Sequence, residues 1–357
     1  MEQVEAIVPD GQVLTNSLDI LPSMESDMVM NGSFVKRADR RVIQELSPLE
    51  MTFISQPPNT HINDLRNFAF KSQAGSGVTV YLQDGGVNFG HEEFQSSIGP
   101  EVIRGRYRCL SVRAKNSRWA RLMALFDETP DRSGHGTCVA DKVVGATHGV
   151  AKGADLAMAT HDNSWSSLLN GLSMIIDDIL IERARRNGHF YPVLCLTYAC
   201  MTNIPGYQPL FKKLVDMDVV IVISAGNLRT RNETVNTYPA LYANEYKNVM
   251  VVGAVDIYGQ RMWYSQGGHL IKVSAPGAVK CAHENVGYVF DQGTSFAAPT
   301  VAGLAAYFLS TNADLRQPGS VAQKTAEHIW DMAYRRVDGP PSAWNGEYSD
   351  SWHDSSP

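Results

Sequence analysis

The sequence predicts an α/β fold in three layers, a mostly parallel central sheet with helices on both faces. Three observations carry the prediction. Short β-branched apolar runs at 78–82, 191–198, 219–224 and 249–255 have the composition of strands buried on both faces. Segments of helical period lie between them, and strand–helix–strand alternation is the sequence form of a parallel sheet with right-handed crossovers. The run 300–309 is apolar almost throughout, so a helix built from it must be buried on every side.

The elements follow in chain order. Residues 1–59 read as an N-terminal extension and linker, with dibasic pairs Lys36-Arg37 and Arg40-Arg41 and an extended Pro57-Pro58 step into the domain. A folded domain is expected over 60–338. Its strand at 78–82 leads to Asp84, at the sheet end where open α/β folds gather their ligands. Residues 98–132 form a long connection carrying Arg104, Arg106, Arg108, Arg113, Lys115, Arg118 and Arg121, read as a solvated basic insertion. A helix opens just after His135, over 137–146, and a turn and a strand follow to 159. The helix at 168–186 puts Leu168, Leu172, Ile175, Ile176 and Ile179 on one face. Residues 209–217 suit a helix with Pro209 in its first turn, and 322–335 a final amphipathic helix. Residues 339–357, rich in Pro, Gly, Ser and Asp, are expected to be a loose tail.

Composition narrows the function classes. The chain has 357 residues, 44% of them hydrophobic and 19% charged, which suits a folded globular protein. A net charge of −6 leaves no electrostatic footprint for nucleic acid. No apolar run reaches the ~18 residues of a membrane span. The acidic start, with Glu2, Glu5 and Asp10, does not have the form of a secretory signal, and the compartment stays open. The sequons at Asn31 and Asn232 inform only if the chain is secreted. Cys109, Cys138, Cys195, Cys200 and Cys281 are odd in number and fit no zinc spacing, so they read as buried small apolar residues.

Pro299 suits only the beginning of the long apolar helix, which puts Ser295 at or near its N-terminus. A hydroxyl there lies close to unpaired backbone N–H groups and the positive end of a helix dipole, where a reacting carbonyl can gather negative charge. Alone, Gly-Thr-Ser before a helix is an ordinary cap. Four blocks in order change its meaning. They are Val78 through Asp84 to Val87, followed by His91-Glu92-Glu93-Phe94; Ser133-Gly134-His135-Gly136-Thr137-Cys138-Val139-Ala140; Val222-Ile223-Ser224-Ala225-Gly226-Asn227; and Asp291-Gln292-Gly293-Thr294-Ser295-Phe296-Ala297-Ala298-Pro299. Through these blocks, over roughly residues 60 to 312, the chain resembles the subtilisin-like serine peptidases, proteinase K-like members most closely in motif style. The order Asp, His, Ser is that of subtilisin.

The resemblance implies a subtilisin-like three-layer domain and a serine endopeptidase working through an acyl-enzyme. It assigns Ser295 as nucleophile, His135 as general base and then acid, Asp84 as the orienting carboxylate, and Asn227 as an oxyanion donor beside the Ser295 N–H. Singly, Asp84 and Asn227 could be turn residues and His135 a packed histidine; together they favour the triad. Gln83 stands where relatives carry an apolar residue. Gly85 stands where they usually carry Thr or Ser, which removes a hydroxyl beside Asp84.

Substrate in this family lies as an added strand between two segments. Here those segments are Thr197, Tyr198 and Ala199 with Cys200, and the loop with Asn163 and Trp165. Tyr198, Ala199 and Cys200 replace smaller or more open residues, so a narrow cleft is expected. Cys138 is expected under His135, where a mercurial would inhibit. No cofactor is required and no metal residues are assigned. Structural calcium is common among relatives, but one usual position falls at Lys272, whose ammonium cannot ligate a cation. Expected partners are a protein or peptide substrate and an inhibitory prodomain or inhibitor, without nucleic acid or membrane, on a monomer. Relatives are usually secreted. The alternatives are a weakly catalytic protein that uses the fold for binding or regulation, and a peptide-joining acyl transferase.

Overall fold

A computed structural model describes residues 14–15, 34–36, 41–99, 102–110, 131 and 133–348. The N-terminal part holds β1 (Leu14–Thr15), β2 (Phe34–Lys36), β3 (Arg41–Gln44), α1 (Leu49–Ile54) and β4 (Phe68–Lys71). Then come β5 (Val78–Asp84), α2 (Glu92–Gln95), β6 (Tyr107–Leu110), α3 (His135–Val144) and β7 (Asp155–Thr160). Helix α4 (Trp165–Arg185) leads to β8 (Tyr191–Leu196), which resumes after one residue as β9 (Tyr198–Ala199). Next are α5 (Tyr207–Asp216), β10 (Val220–Ser224), β11 (Met250–Val255) and β12 (Ile271–Pro276). A hairpin of β13 (Ala278–Ala282) and β14 (Tyr288–Gln292) runs into α6 (Thr294–Thr311), and α7 (Val321–Met332) follows.

Seven strands form the central sheet in the order β12-β11-β10-β8-β5-β7-β6, every neighbouring pair parallel. The period of two sorts their side chains. On one face Val78, Val80, Leu82, Val193, Cys195, Val220 and Val222 pack with α3, α6 and α7. On the other, Tyr81, Leu194, Leu196, Ile221 and Ile223 pack with α4 and α5. Helix α6 is buried from Thr294 to Ser310, as its all-apolar sequence requires. Among the described residues no helix is long and apolar enough to cross a membrane.

Several expectations need correction. The supposed basic insertion contains β6, the edge strand beside β7. Its arginines are tied down: Arg106 to Asp155 at 3.2 Å, Arg108 to Asp178 at 2.5 Å, and Arg104 Nε to the Ser96 carbonyl at 2.6 Å. Arg113, Lys115, Arg118 and Arg121 lie outside the described residues. The packed body also reaches past both expected boundaries. In α1, Met51, Phe53 and Ile54 are fully buried. From the supposed tail, Asn345 donates to the Ile54 and Ala69 carbonyls, Ala343 N donates to the Ser274 carbonyl, and Glu347 pairs with Arg41 at 3.1 Å. Residues 349–357 lie outside the described residues. Cys138 and Cys281 form a disulfide across a sequence separation of 143, with Cα atoms 5.1 Å apart. Helix α3 and β13 are packed side by side, a proximity that cysteine spacing does not encode. Cys138 is therefore no free thiol beneath His135. Cys195 and Cys200 are buried free thiols, as expected.

Candidate active site

The two parallel neighbours of β5 end beside it, so β5, β7 and β8 open one crevice at their C-terminal ends. Asp84, the last residue of β5, is 3% exposed. His135 is the first residue of α3, held there by Asp131, whose carboxylate accepts from the N–H groups of Ser133, Gly134 and Thr137. That cap satisfies donors the helix start leaves unpaired. Sequence reading missed Asp131, although an aspartate shortly before a helix start is a legible signal. Gly134 has φ of +75°, and a Cβ on Gly136 would sit 2.0 Å from the Gly86 carbonyl oxygen, so neither position accepts a side chain without strain.

His135 Nδ1 lies 3.0 and 2.9 Å from the two Asp84 carboxylate oxygens. Asp84 also accepts from Gly85 N at 2.7 Å and from the Thr197 hydroxyl at 2.8 Å. Burial works to raise the Asp84 pKa, but His135, with His161 and the Gly85 N–H, outweighs it and holds it at about 2. Burial also opposes charge on His135, yet Asp84 raises its pKa above the ordinary histidine value. The other ring nitrogen, Nε2, is buried and has no partner.

Ser295 is the second residue of α6 and is fully buried. Its Oγ donates to the Thr197 carbonyl at 3.2 Å. Asn227 follows β10, and its Oδ1 accepts from both Thr294 N and Thr294 Oγ1 at 3.0 Å. That fixes the amide, and Nδ2 is left buried without a partner. Thr294 is a second residue that sequence reading missed.

A profile of the subtilase family matches residues 75–336. The chain belongs to the subtilase family. It is 31% identical over 266 residues to subtilisin-like protease 2 of Pseudogymnoascus destructans, covering 73% of this chain and 58% of that one. It is 25% identical over 303 residues to cerevisin of Saccharomyces cerevisiae, covering 82% and 43%. A cuticle-degrading serine protease of Arthrobotrys oligospora is 28% identical over 287 residues, covering 77% and 63%. This subtilase thus spans about half the length of the curated relatives it matches. The crystal structure of a cold-adapted subtilisin-like serine proteinase superposes with a TM-score of 0.63 at 23% identity, covering 85% of this chain and 100% of that one. That likeness speaks to the fold.

Both departures beside Asp84 are answered within this subtilase. Gln83 points away from the triad and is fully buried. Its amide donates to the Leu168 carbonyl at 2.7 Å, and its carbonyl accepts from Tyr198 Oη at 2.8 Å. Tyr198 Oη in turn meets Tyr207 Oη at 2.5 Å. A polar group in a core requires such partners. Tyr198 is therefore 2% exposed and turned into the core. Its bulk does not narrow the cleft as expected, and only its backbone is offered to a ligand. Gly85 removes one hydroxyl from the neighbourhood of Asp84, and Thr197 supplies another.

The strand β9 is paired antiparallel with β1, Thr15 opposite Tyr198 and Leu14 opposite Ala199. Across the crevice, His161 N donates to the Asp84 carbonyl at 2.9 Å, which holds the loop after β7 beside Asp84. In that loop Asn163 has φ of +68° and Trp165 opens α4. Asn163 Oδ1 and Trp165 Nε1 are buried without partners. At Lys272, where the resemblance led a calcium ligand to be sought, Nζ lies 3.7 Å from the centre of the Trp330 ring, so an ammonium rests on an aromatic face there. The residues there do not fit calcium. Among the described residues one set of three, Glu93, Asp141 and His148, could hold a cation.

Proposed function

We propose that this subtilase is a serine endopeptidase that cleaves peptide bonds through an acyl-enzyme on Ser295. The observation that carries the reading is the buried Asp84–His135 pair together with two unpartnered nitrogens, His135 Nε2 and Asn227 Nδ2, flanking the helix start that bears Ser295. Rotation of the Ser295 hydroxyl off the Thr197 carbonyl brings its proton to Nε2, a tightening common when substrate arrives. Oγ then attacks the carbonyl carbon, and Asp84 holds the imidazolium that forms. The carbonyl oxygen, now negative, accepts from Asn227 Nδ2 and Ser295 N, neither of which needs to reorganise. His135 returns the proton to the departing amine. Water repeats the sequence on the acyl-enzyme.

The substrate strand adds to β9 in the antiparallel register that β1 uses. Thr197 and Ala199 line it through backbone, with Asn163 and Trp165 as the opposite wall. Residues 14–15 thus stand in the substrate's place, and the N-terminal segment acts as the inhibitory element expected from the resemblance. Added amine nucleophiles should not divert products, as they would with a peptide-joining acyl transferase.

The test is intact-mass labelling with a sulfonyl fluoride, with Ser295→Ala as control. One label on the wild type, faster in a chain starting at residue 34 than in the full chain, is the expected result. Folded protein that takes no label in either form would refute the endopeptidase reading. It would support the second one, a binding or regulatory protein, which the Ser295–Thr197 hydrogen bond favours.

A further inference from the structure

Within the endopeptidase reading, on which this rests, we infer that Gln266 and Thr237 select a carboxamide side chain, that of asparagine or glutamine, on the residue whose carbonyl Ser295 attacks. Gln266 is fully buried. Its Nε2 donates to the Asn232 and Thr234 carbonyls at 3.1 and 2.6 Å and meets Asn236 Oδ1 at 2.9 Å. Two of these partners are backbone carbonyls, which can only accept, so the amide cannot be turned end for end. Its oxygen, Oε1, is thereby held on the other side, buried and without a partner. A buried acceptor with no donor bears the full penalty of leaving water, and such a group in a native fold calls for a reason.

Its position supplies one. Oε1 lies 2.3 Å from the point where a Cβ on Gly226 would stand, and Thr237 Oγ1 lies 3.8 Å from the same point. Only a glycine leaves that oxygen room, and Gly226 has φ of +102°. Gly226 precedes Asn227, whose Nδ2 is the proposed oxyanion donor. Its N–H donates to Thr294 Oγ1 at 3.1 Å and its carbonyl accepts from Gln266 N at 3.0 Å, which ties this segment to the start of α6 and to Gln266. On the opposite side, Cys200 and Tyr238 exchange backbone hydrogen bonds of 2.8 and 2.9 Å, which brings Thr237 alongside the end of β9. A substrate strand on β9 with its carbonyl oxygen at Asn227 sends the adjoining side chain between these two segments, towards Gln266 Oε1 and the Thr237 hydroxyl. Oε1 can only accept, whereas a hydroxyl donates or accepts. A carboxamide offers an N–H to the first and a carbonyl to the second. A carboxylate brings no donor to Oε1, and an aliphatic chain leaves it unpaired. A lysine or arginine brings donors but meets no counter-charge in either oxygen, and a buried unbalanced charge is costly.

The experiment uses the full chain and four-residue peptide anilides alike except in the last residue, which is Gln, Asn, Glu, Leu, Met or Lys. kcat/KM is measured for each, and sulfonyl fluoride labelling counts the working sites. The Gln or Asn peptide should exceed the other four at least about tenfold, since a site built to pair a polar group rejects analogues that lack it. Thr237→Val should shrink that advantage severalfold, and Gln266→Met should reverse it in favour of the Leu and Met peptides. The preference is read first on the unaltered chain, so a variant that fails to fold leaves the test intact. Labelled enzyme that cleaves the Leu, Met, Glu or Lys peptide equally well, or cleaves neither the Gln nor the Asn peptide, would overturn the selectivity and leave the nucleophile assignment standing. So would a Gln and Asn advantage unchanged in folded Gln266→Met. No cleavage with no label would refute the endopeptidase reading itself, and the selectivity with it.

Discussion

Replacing Thr197 by valine tests whether the Asp84 carboxylate depends on the Thr197 hydroxyl when Gly85 offers none. The Thr197 hydroxyl donates to Asp84 at 2.8 Å in a site where both residues are at most 3% exposed. Valine keeps the shape and removes the donor. A hydrogen bond to a charged group contributes roughly 1.5–3 kcal/mol. Gly85 N and His135 remain on Asp84, and only the part of the loss that grows as His135 becomes charged reaches the rate. The lower end of that range is about a tenfold fall in kcat at ~1.4 kcal/mol per decade. KM should hardly change, because the proposed substrate strand meets Thr197 through its backbone. The second half of the test is Gly85→Ser. The nearest atom to a Cβ at Gly85 is the Ser133 hydroxyl oxygen at 3.6 Å, an ordinary contact, so a serine fits. Alone it should be nearly neutral, and in the Thr197→Val background it should restore most of the lost kcat. Steady-state kinetics on a peptide substrate, with melting temperatures to check folding, measure the cycle. An unchanged kcat in Thr197→Val, or a fall confined to KM that serine does not rescue, would refute the reasoning.

Because Asp84 raises the His135 pKa, the acid limb of kcat/KM should have its midpoint above ~6.5, and a pH–rate profile checks this. Asp84 has a depressed pKa, so its contribution to stability is present above ~4 and is lost as pH falls toward about 2; urea midpoints across that window should drop. Asn227→Ala should lower kcat on the order of 10²–10³, the range known for the corresponding donor in subtilisin, and should also lower the melting temperature, because Thr294 N and Oγ1 lose their acceptor. Replacing Cys138 and Cys281 together by alanine should cost about 2–5 kcal/mol in urea unfolding, while mercurials leave the wild type active; an unchanged unfolding midpoint would contradict the structural role of the bridge.

The parts of the fold that could be read from sequence are those set by local pattern. The buried strands around Val80, Val193 and Val222, the amphipathic α4 and the fully buried α6 each follow from period and composition. The four proposed site residues could be picked out because each lies at or near the place where an element begins or ends, with glycines marking the turns. What escaped reading is non-local. The β13–β14 hairpin is short and half exposed, so it lacks a clean alternation. The pairing of Cys138 with Cys281 is decided by the packing of α3 on β13. The inward turn of Tyr198 depends on Gln83, two strands that become neighbours only in the sheet. Arg106 and Arg108 read as surface charges because Asp155 and Asp178, which hold them, are distant in sequence.

The helix that carries Ser295 has no solvent side from Thr294 to Ser310. Beyond its first turn, its amide hydrogens are paired within the helix and shielded by the packed body, so their exchange with water requires a large opening of that body. A neighbouring peptidase molecule needs an extended stretch of chain to cut, and this helix presents none while folded. Under the proposed activity, self-digestion therefore begins elsewhere on the molecule, and the segment around Ser295 is among the last features of the protein to be destroyed.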